Sequence, residues 1–160
     1  MESYIIKDIL GVLPELLGES SNNDIGILGH SMGGHGALTL GLKYSTLFSS
    51  ISAFSPILNP VNCPWGEKAF TGYLGEDKKL WKNHDFIELL KLNETHQPIR
   101  IDQGLDDEFL DQQLGLKMFE KFQHDNLDEG IDLYKHEGFD HSYYFISSFI
   151  KDHIMFHLAN

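Results

Sequence analysis

The chemistry this chain could do is concentrated in Gly29-His30-Ser31-Met32-Gly33. A serine hydroxyl is a weak nucleophile until a neighbouring base removes its proton. The pattern Gly-x-Ser-x-Gly exposes such a hydroxyl when a strand runs into it and a helix leaves it, in a turn too tight for ordinary side chains on its flanks. Here the apolar run Ile25-Gly26-Ile27-Leu28 precedes it, and a small-residue segment containing Gly34 and Gly36 follows. Ser31 is therefore the candidate nucleophile. Its acid and base must come later, each in a loop after a later strand. Two loops qualify, Gly104-Leu105-Asp106-Asp107 and Gly138-Phe139-Asp140-His141-Ser142.

Nine histidines compete for the role of base. His30 lies inside the turn and His35 on the following helix. His84, His96 and His124 fall in helical or connecting segments, and His136 ends a strand. Only His141 sits in a loop after a late strand. His153 and His157 have the i, i+4 spacing of a metal pair, but no acidic motif of the zinc-protease kind accompanies them. They are read as a solvated helix face, and no metal is expected. For the acid, spacing leaves Asp106 and Asp107 both open, while Asp102 falls within a strand. The lone Cys63 cannot form an internal disulfide. No helix N-terminus or basic neighbour is predicted beside it to activate the thiol, so it is assigned a pocket or packing role.

These groups need a scaffold. Ile5, Ile9, Leu13, Leu16 and Leu17 recur at helical spacing and predict an opening amphipathic helix, disturbed by Gly11 and Pro14. A polar turn at 20–23 leads to a strand at 25–28, a helix at 33–44 and a strand at 50–54. Residues 55–79 are rich in Gly, Pro and Asn and read as an irregular loop region. Asp85 with Glu88 forms a capping box for a short helix ending near Leu92. A strand at 98–103, a long helix at 109–127, a strand at 131–136 and a helix at 142–157 complete the pattern. Strands alternating with helices imply a mostly parallel sheet with helices on both faces. Without repeats or linkers, residues 1–160 read as a single domain.

The charge balance narrows the partners. Twenty-four acidic residues against 12 basic ones give −12, with Arg100 the sole arginine. Such a surface repels nucleic acid and anionic membranes, which need clustered Lys and Arg. No apolar run of about 18 residues predicts a membrane-spanning helix. The first residues lack the basic-then-apolar pattern of a signal peptide. With one cysteine, these features favour a reducing, cytoplasmic compartment, and the sequon Asn93-Glu94-Thr95 reads as chance.

The segment Gly29-His30-Ser31-Met32-Gly33-Gly34-His35-Gly36-Ala37-Leu38 strongly resembles the elbow of the S-formylglutathione hydrolase, or esterase D, family. The likeness continues through Ser52-Ala53-Phe54-Ser55-Pro56, Asn59-Pro60, Cys63-Pro64-Trp65-Gly66 and Gly72-Tyr73-Leu74-Gly75. It extends over Ile101-Asp102-Gln103-Gly104, Asp106-Asp107, Phe109-Leu110, Asp140-His141-Ser142-Tyr143-Tyr144-Phe145-Ile146 and Asp152-His153. The resemblance implies an α/β-hydrolase fold and a thioesterase that converts S-formylglutathione to glutathione and formate, the second stage of formaldehyde detoxification. It also implies cleavage of small activated esters. It places the nucleophile at Ser31, the base at His141 and the acid at Asp107, the second of the pair. Neither a metal nor an organic cofactor is implied.

In a complete fold of this kind several strands precede the elbow strand, which here is the first strand predicted. Residues 1–17 resemble the internal helix that normally leads into it, so the chain reads as the C-terminal portion of such an enzyme. Its sheet is then expected to lack the N-terminal strands, leaving an unpaired edge and an exposed apolar face where a partner or second copy could pair. The Met32 N–H supplies one oxyanion donor. The other donor normally comes from a loop after an early strand. Trp65 and Tyr73 are candidate substrate contacts because they sit in the irregular region near the active edge.

Overall fold

The computed structural model describes residues 1–17, 25–92, 97–126 and 130–160. Four parallel strands, β1 (Gly26–His30), β2 (Ser50–Phe54), β3 (Ile99–Gly104) and β4 (Ile131–His136), lie in the order β1-β2-β3-β4. Gly26 pairs with Ser50, Ile51 with Ile99, and Ile99 with Ile131. Among the described residues β1 has one neighbour, β2.

The first helical segment departs from expectation. It is a π-helical turn, Tyr4–Ile9, running into α1 (Leu10–Leu17), which contains Pro14. Pro14 lacks an N–H to donate back along the helix, and its ring crowds the carbonyl one turn earlier. Tyr4, Ile9, Val12 and Leu16 remain exposed, so the predicted apolar stripe is not buried in the described core. The segment is tied down instead by Glu2, whose carboxylate meets Lys43 Nζ at 3.0 Å and the Tyr44 hydroxyl at 2.9 Å.

Helices cover both faces of the sheet, as the alternating pattern implied. From β1 the chain enters α2 (Met32–Lys43). Residues 55–79 are more ordered than predicted: a 3-10 turn at Pro60–Asn62, then α3 (Pro64–Leu74) and α4 (Lys78–Trp81). One of the glycines that suggested a loop has a packing reason, since a Cβ on Gly66 would sit 1.9 Å from the Pro60 carbonyl oxygen. The short helix α5 (Phe86–Leu90) starts at Asp85, whose carboxylate accepts the Glu88 N–H at 3.0 Å as the capping box requires. The single helix predicted at 109–127 is broken. A π-helical turn, Leu110–Leu114, ends at Gly115 in the left-handed region (φ 73°), and α6 (Leu116–Asn126) follows. Last comes α7 (Tyr143–Ala159). The polar turn at 20–23, the sequon at 93–95, His96 and Leu127 lie outside the described residues.

Side chains on a strand alternate between faces. Ile51 and Ala53 of β2 join Leu38 and Leu42 of α2, Phe86 and Leu90 of α5, and Phe119 of α6 in one core. Ser50, Ser52 and Phe54 turn to the other face, against α7. The outer side of α7 stays exposed at Tyr143, Tyr144, Ile154, Met155 and Leu158, so an exposed apolar face is present. No helix among the described residues is long and apolar enough to cross a membrane.

Candidate active site

β1 ends at His30 and α2 begins at Met32, leaving Ser31 alone at the corner with φ 56° and ψ −119°. A non-glycine residue held there stores about 1–3 kcal/mol of backbone strain. Two backbone hydrogen bonds impose it: the Ser31 N–H donates to the Phe54 carbonyl at 2.9 Å, and the His35 N–H donates to the Ser31 carbonyl at 2.9 Å. Glycine is demanded at Gly29, where a Cβ would lie 2.1 Å from the Gly33 carbonyl oxygen. Gly33 itself has open space around the Cβ position, so only one flank of the motif is sterically fixed. His35 holds α2 to the segment after β2 by donating from Nδ1 to the Ile57 carbonyl at 3.1 Å, and burial pushes its imidazole down to about 4.

The loops after β3 and β4 interlock. Leu105 N–H donates to the His136 carbonyl at 2.9 Å, and Asp106 N–H to the Phe139 carbonyl at 3.0 Å. Gly104 lets the two backbones touch, because a Cβ there would fall 2.4 Å from the Phe139 oxygen. This packing sets buried Asp107 against His141: His141 Nδ1 lies 2.6 Å from Asp107 Oδ2. The carboxylate can only accept, so Nδ1 carries the proton and Nε2 is the free ring nitrogen. Asp107 Oδ1 accepts the Phe109 N–H at 2.9 Å. Asp106 is exposed and only its backbone joins the network, so the structure separates the two aspartates that spacing could not.

The His141 ring packs on His30, with centroids 4.5 Å apart, and meets the edge of Phe109 at 5.0 Å. His30 directly precedes Ser31, so the elbow and the His141 loop share one end of the sheet. Burial, together with the neighbouring His141, lowers the basicity of His30. Among the described residues no hydrogen bond joins the Ser31 hydroxyl to His141, a contact that in many sites tightens only around substrate. Ser31 and Met32 open onto a cleft of about 190 Å³ walled by Ile57, Trp65, Phe109, Gln113 and Leu114. As the first residue of α2, Met32 has a backbone N–H with no carbonyl one turn back to receive it.

Trp65 thus lines the cleft, but Tyr73 does not: it is 88% exposed. The reason is that both lie on one helix, α3, where eight residues correspond to a rise of about 12 Å and a different face.

The family whose description is "Putative esterase" matches residues 1–156. The chain belongs to this esterase family. An S-formylglutathione hydrolase from Arabidopsis thaliana is 44% identical over 158 residues, covering 98% of this chain and 55% of its own length. One from Rattus norvegicus is 47% identical over 163 residues, with 98% and 56% covered. The solved structure of an S-formylglutathione hydrolase from Agrobacterium tumefaciens superposes with a TM-score of 0.87 at 39% identity, covering 98% of this chain and 56% of that one. The chain therefore has the α/β-hydrolase fold, and it spans about half the length of the curated relatives it matches.

Elsewhere in the chain two readings change. His153 and His157 are not a solvated face, because α7 lays these positions on the sheet. His153 is fully buried, stacked on Phe54 at 3.7 Å, with Nε2 3.1 Å from Asp102 Oδ1. His157 reaches Ser50 Oγ and Ser52 Oγ, each at 2.7 Å. Asp102 also binds Arg100 Nε at 2.8 Å and His136 Nε2 at 2.8 Å. Burial works against the Asp102 charge, yet His153 and Arg100 outweigh it and hold the carboxyl below its ordinary range. Burial keeps His153 below the usual imidazole value. Cys63 does sit at a helix N-terminus: its Sγ accepts the Gly66 N–H at 3.3 Å as the cap of α3. Burial nonetheless raises the thiol, which supports packing rather than reactivity. No cluster of three or more potential metal ligands occurs among the described residues.

Two residues beside the candidate triad escaped sequence reasoning. Buried Gln103 donates to Asp107 Oδ2, and Ser55, at φ 40°, adjoins Gln103 through its hydroxyl. The available signal was a glutamine at the end of a strand that is otherwise apolar on that face, at Ile99 and Ile101.

Proposed function

We propose that Ser31, His141 and Asp107 are the nucleophile, base and acid of a serine thioesterase that hydrolyses S-formylglutathione to glutathione and formate. The observation that carries this reading is the 2.6 Å pairing of His141 with a buried carboxylate, beside a serine strained at a strand-to-helix turn. The free Nε2 of His141 takes the Ser31 proton as Oγ attacks the formyl carbon. The carbonyl becomes an oxyanion, for which the Met32 N–H is a donor. The C–S bond then breaks, the imidazolium returns its proton to sulfur, and glutathione leaves a formyl-serine behind. Water attacks that ester while His141 takes its proton. Formate departs and Ser31 regains its hydrogen. Asp107 orients the imidazole and stabilises its charge throughout.

No step calls for a metal or organic cofactor. A cleft of about 190 Å³ with apolar walls suits a formyl or other small acyl group, consistent with activity on small esters. The similarity to S-formylglutathione hydrolases supports the substrate and a place in formaldehyde catabolism. A thioester of glutathione and a single buried cysteine suit the cytoplasm. Hydrolysis of S-formylglutathione by the purified chain, beside its Ser31→Ala variant, tests the proposal. Turnover that falls at least about 10³-fold in the variant is expected. Turnover that survives the substitution would refute it.

A further inference from the structure

Gln103 is fully buried near the end of β3, and its amide nitrogen faces three acceptors. These are the Gly104 carbonyl at 2.9 Å, Asp107 Oδ2 at 3.2 Å and Ser55 Oγ at 3.3 Å. The amide cannot be turned over, because its oxygen would then oppose a carboxylate and a carbonyl. Its Oε1 is buried and has no hydrogen-bond partner. An apolar residue would avoid that unsatisfied acceptor.

From this geometry we infer that Gln103 is a positioning residue for Asp107, an inference that rests on the triad proposed above. Asp107 Oδ2 receives both the Gln103 amide and the His141 Nδ1–H, while Oδ1 receives the Phe109 N–H. The two donors on Oδ2 come from different strand ends, β3 and the loop after β4. Together with Phe109 they stop the carboxylate from rotating about its Cβ–Cγ bond. Without Gln103, Oδ2 keeps only the histidine. The carboxylate is then free to rock, and the imidazole it orients rocks with it. The Ser55 hydroxyl is a neighbouring acceptor, and Ser55 is itself held by its N–H donating to the Asp102 carbonyl at 2.8 Å.

Two variants of similar size test this: Gln103→Met, which removes both donors, and Gln103→Glu, which sets a second carboxylate against Asp107. Both are measured for S-formylglutathione turnover, for thermal unfolding, and by proton NMR of the His141 Nδ1–H. In Gln103→Met, kcat is expected to fall about 10- to 100-fold, as when other groups that orient a site residue are removed. KM should stay near its starting value, and the Nδ1 proton should shift or exchange faster with solvent. Gln103→Glu should lose more activity. An unchanged kcat with an unchanged Nδ1 resonance overturns the inference, as does a loss of activity accounted for by unfolding alone. Absence of turnover in the unsubstituted chain would count against the proposed function instead. The NMR comparison would then decide the inference by itself.

Discussion

Replacing Gly104 with alanine should displace the candidate base without altering it or the nucleophile. Gly104 has no positive φ, so the alanine backbone is permitted there and the obstacle is space. Its Cβ would lie 2.4 Å from the Phe139 oxygen, 2.9 Å from the Phe139 carbonyl carbon and 3.0 Å from the Asp140 oxygen. A carbon and a carbonyl oxygen ordinarily approach to about 3.3–3.6 Å, so the two backbones must separate by about 1 Å. The atoms in the way are main-chain atoms of the two residues before His141, so no rotamer change relieves the overlap. The Asp106-to-Phe139 hydrogen bond stretches, and His141 moves relative to Asp107 and the elbow. A misplacement of about 1 Å at a reacting group can cost about 10²-fold in rate. Inserting a methyl group into this contact should also destabilise the fold by about 1–3 kcal/mol. Initial rates with S-formylglutathione and urea unfolding of the same samples separate the two effects. We expect kcat to fall about 10²-fold in a protein that remains folded. A rate within about threefold of the unsubstituted protein would show that the loop contact does not place His141.

The two aspartates should part company. Asp107→Asn is expected to cut kcat about 10³- to 10⁴-fold by disturbing the tautomer and orientation of His141, whereas exposed Asp106→Asn should change it about threefold at most, read from the same initial rates. Stability should fall as pH drops below the ordinary imidazole value. Burial holds folded His35 at about 4, so the unfolded chain takes up that proton first. Stabilisation by neutral His35 is complete above pH ~6.5, is lost between ~6.5 and ~4, and amounts to about 3 kcal/mol. Burial depresses His153 and His157 too, which acts in the same direction. Urea midpoints between pH 7.5 and 5 should fall, and His35→Gln should flatten the slope. Gly26→Ala places a Cβ 2.3 Å from the His157 ring, so it should destabilise by about 1–3 kcal/mol. The double variant with His157→Ala should recover part of that loss in a mutant cycle.

The parts of this molecule written in short-range pattern were legible. β2 and β4 fall where alternating and apolar runs put them, at Ser50–Phe54 and Ile131–His136, and Asp85 caps α5 through the residue its spacing named. The turn at Ser31 and the loop carrying His141 were readable because a strand-turn-helix and a loop after a late strand are local features. What local pattern could not reveal depends on contacts between distant elements. Residues 64–74 looked like a loop because Gly66 and Gly72 weaken helix propensity, yet Gly66 exists to admit the Pro60 carbonyl. The break at Gly115 needs a left-handed residue lying against Asn59, which periodicity within 109–127 does not reveal. His153 and His157 carried helical spacing but no sign of which face met the sheet. Gln103 was visible only as a polar residue on the otherwise apolar face of β3, and its partners lie 4 and 48 positions away.

In the proposed mechanism Ser31 is a nucleophile activated by His141. A fluorophosphonate reacts with such a serine to form a stable covalent adduct, which peptide mass spectrometry assigns to one residue. A single adduct is expected on the peptide containing Ser31, formed in the unsubstituted chain and strongly slowed in His141→Ala. An adduct elsewhere, or labelling of Ser31 that is equally fast without His141, would contradict it.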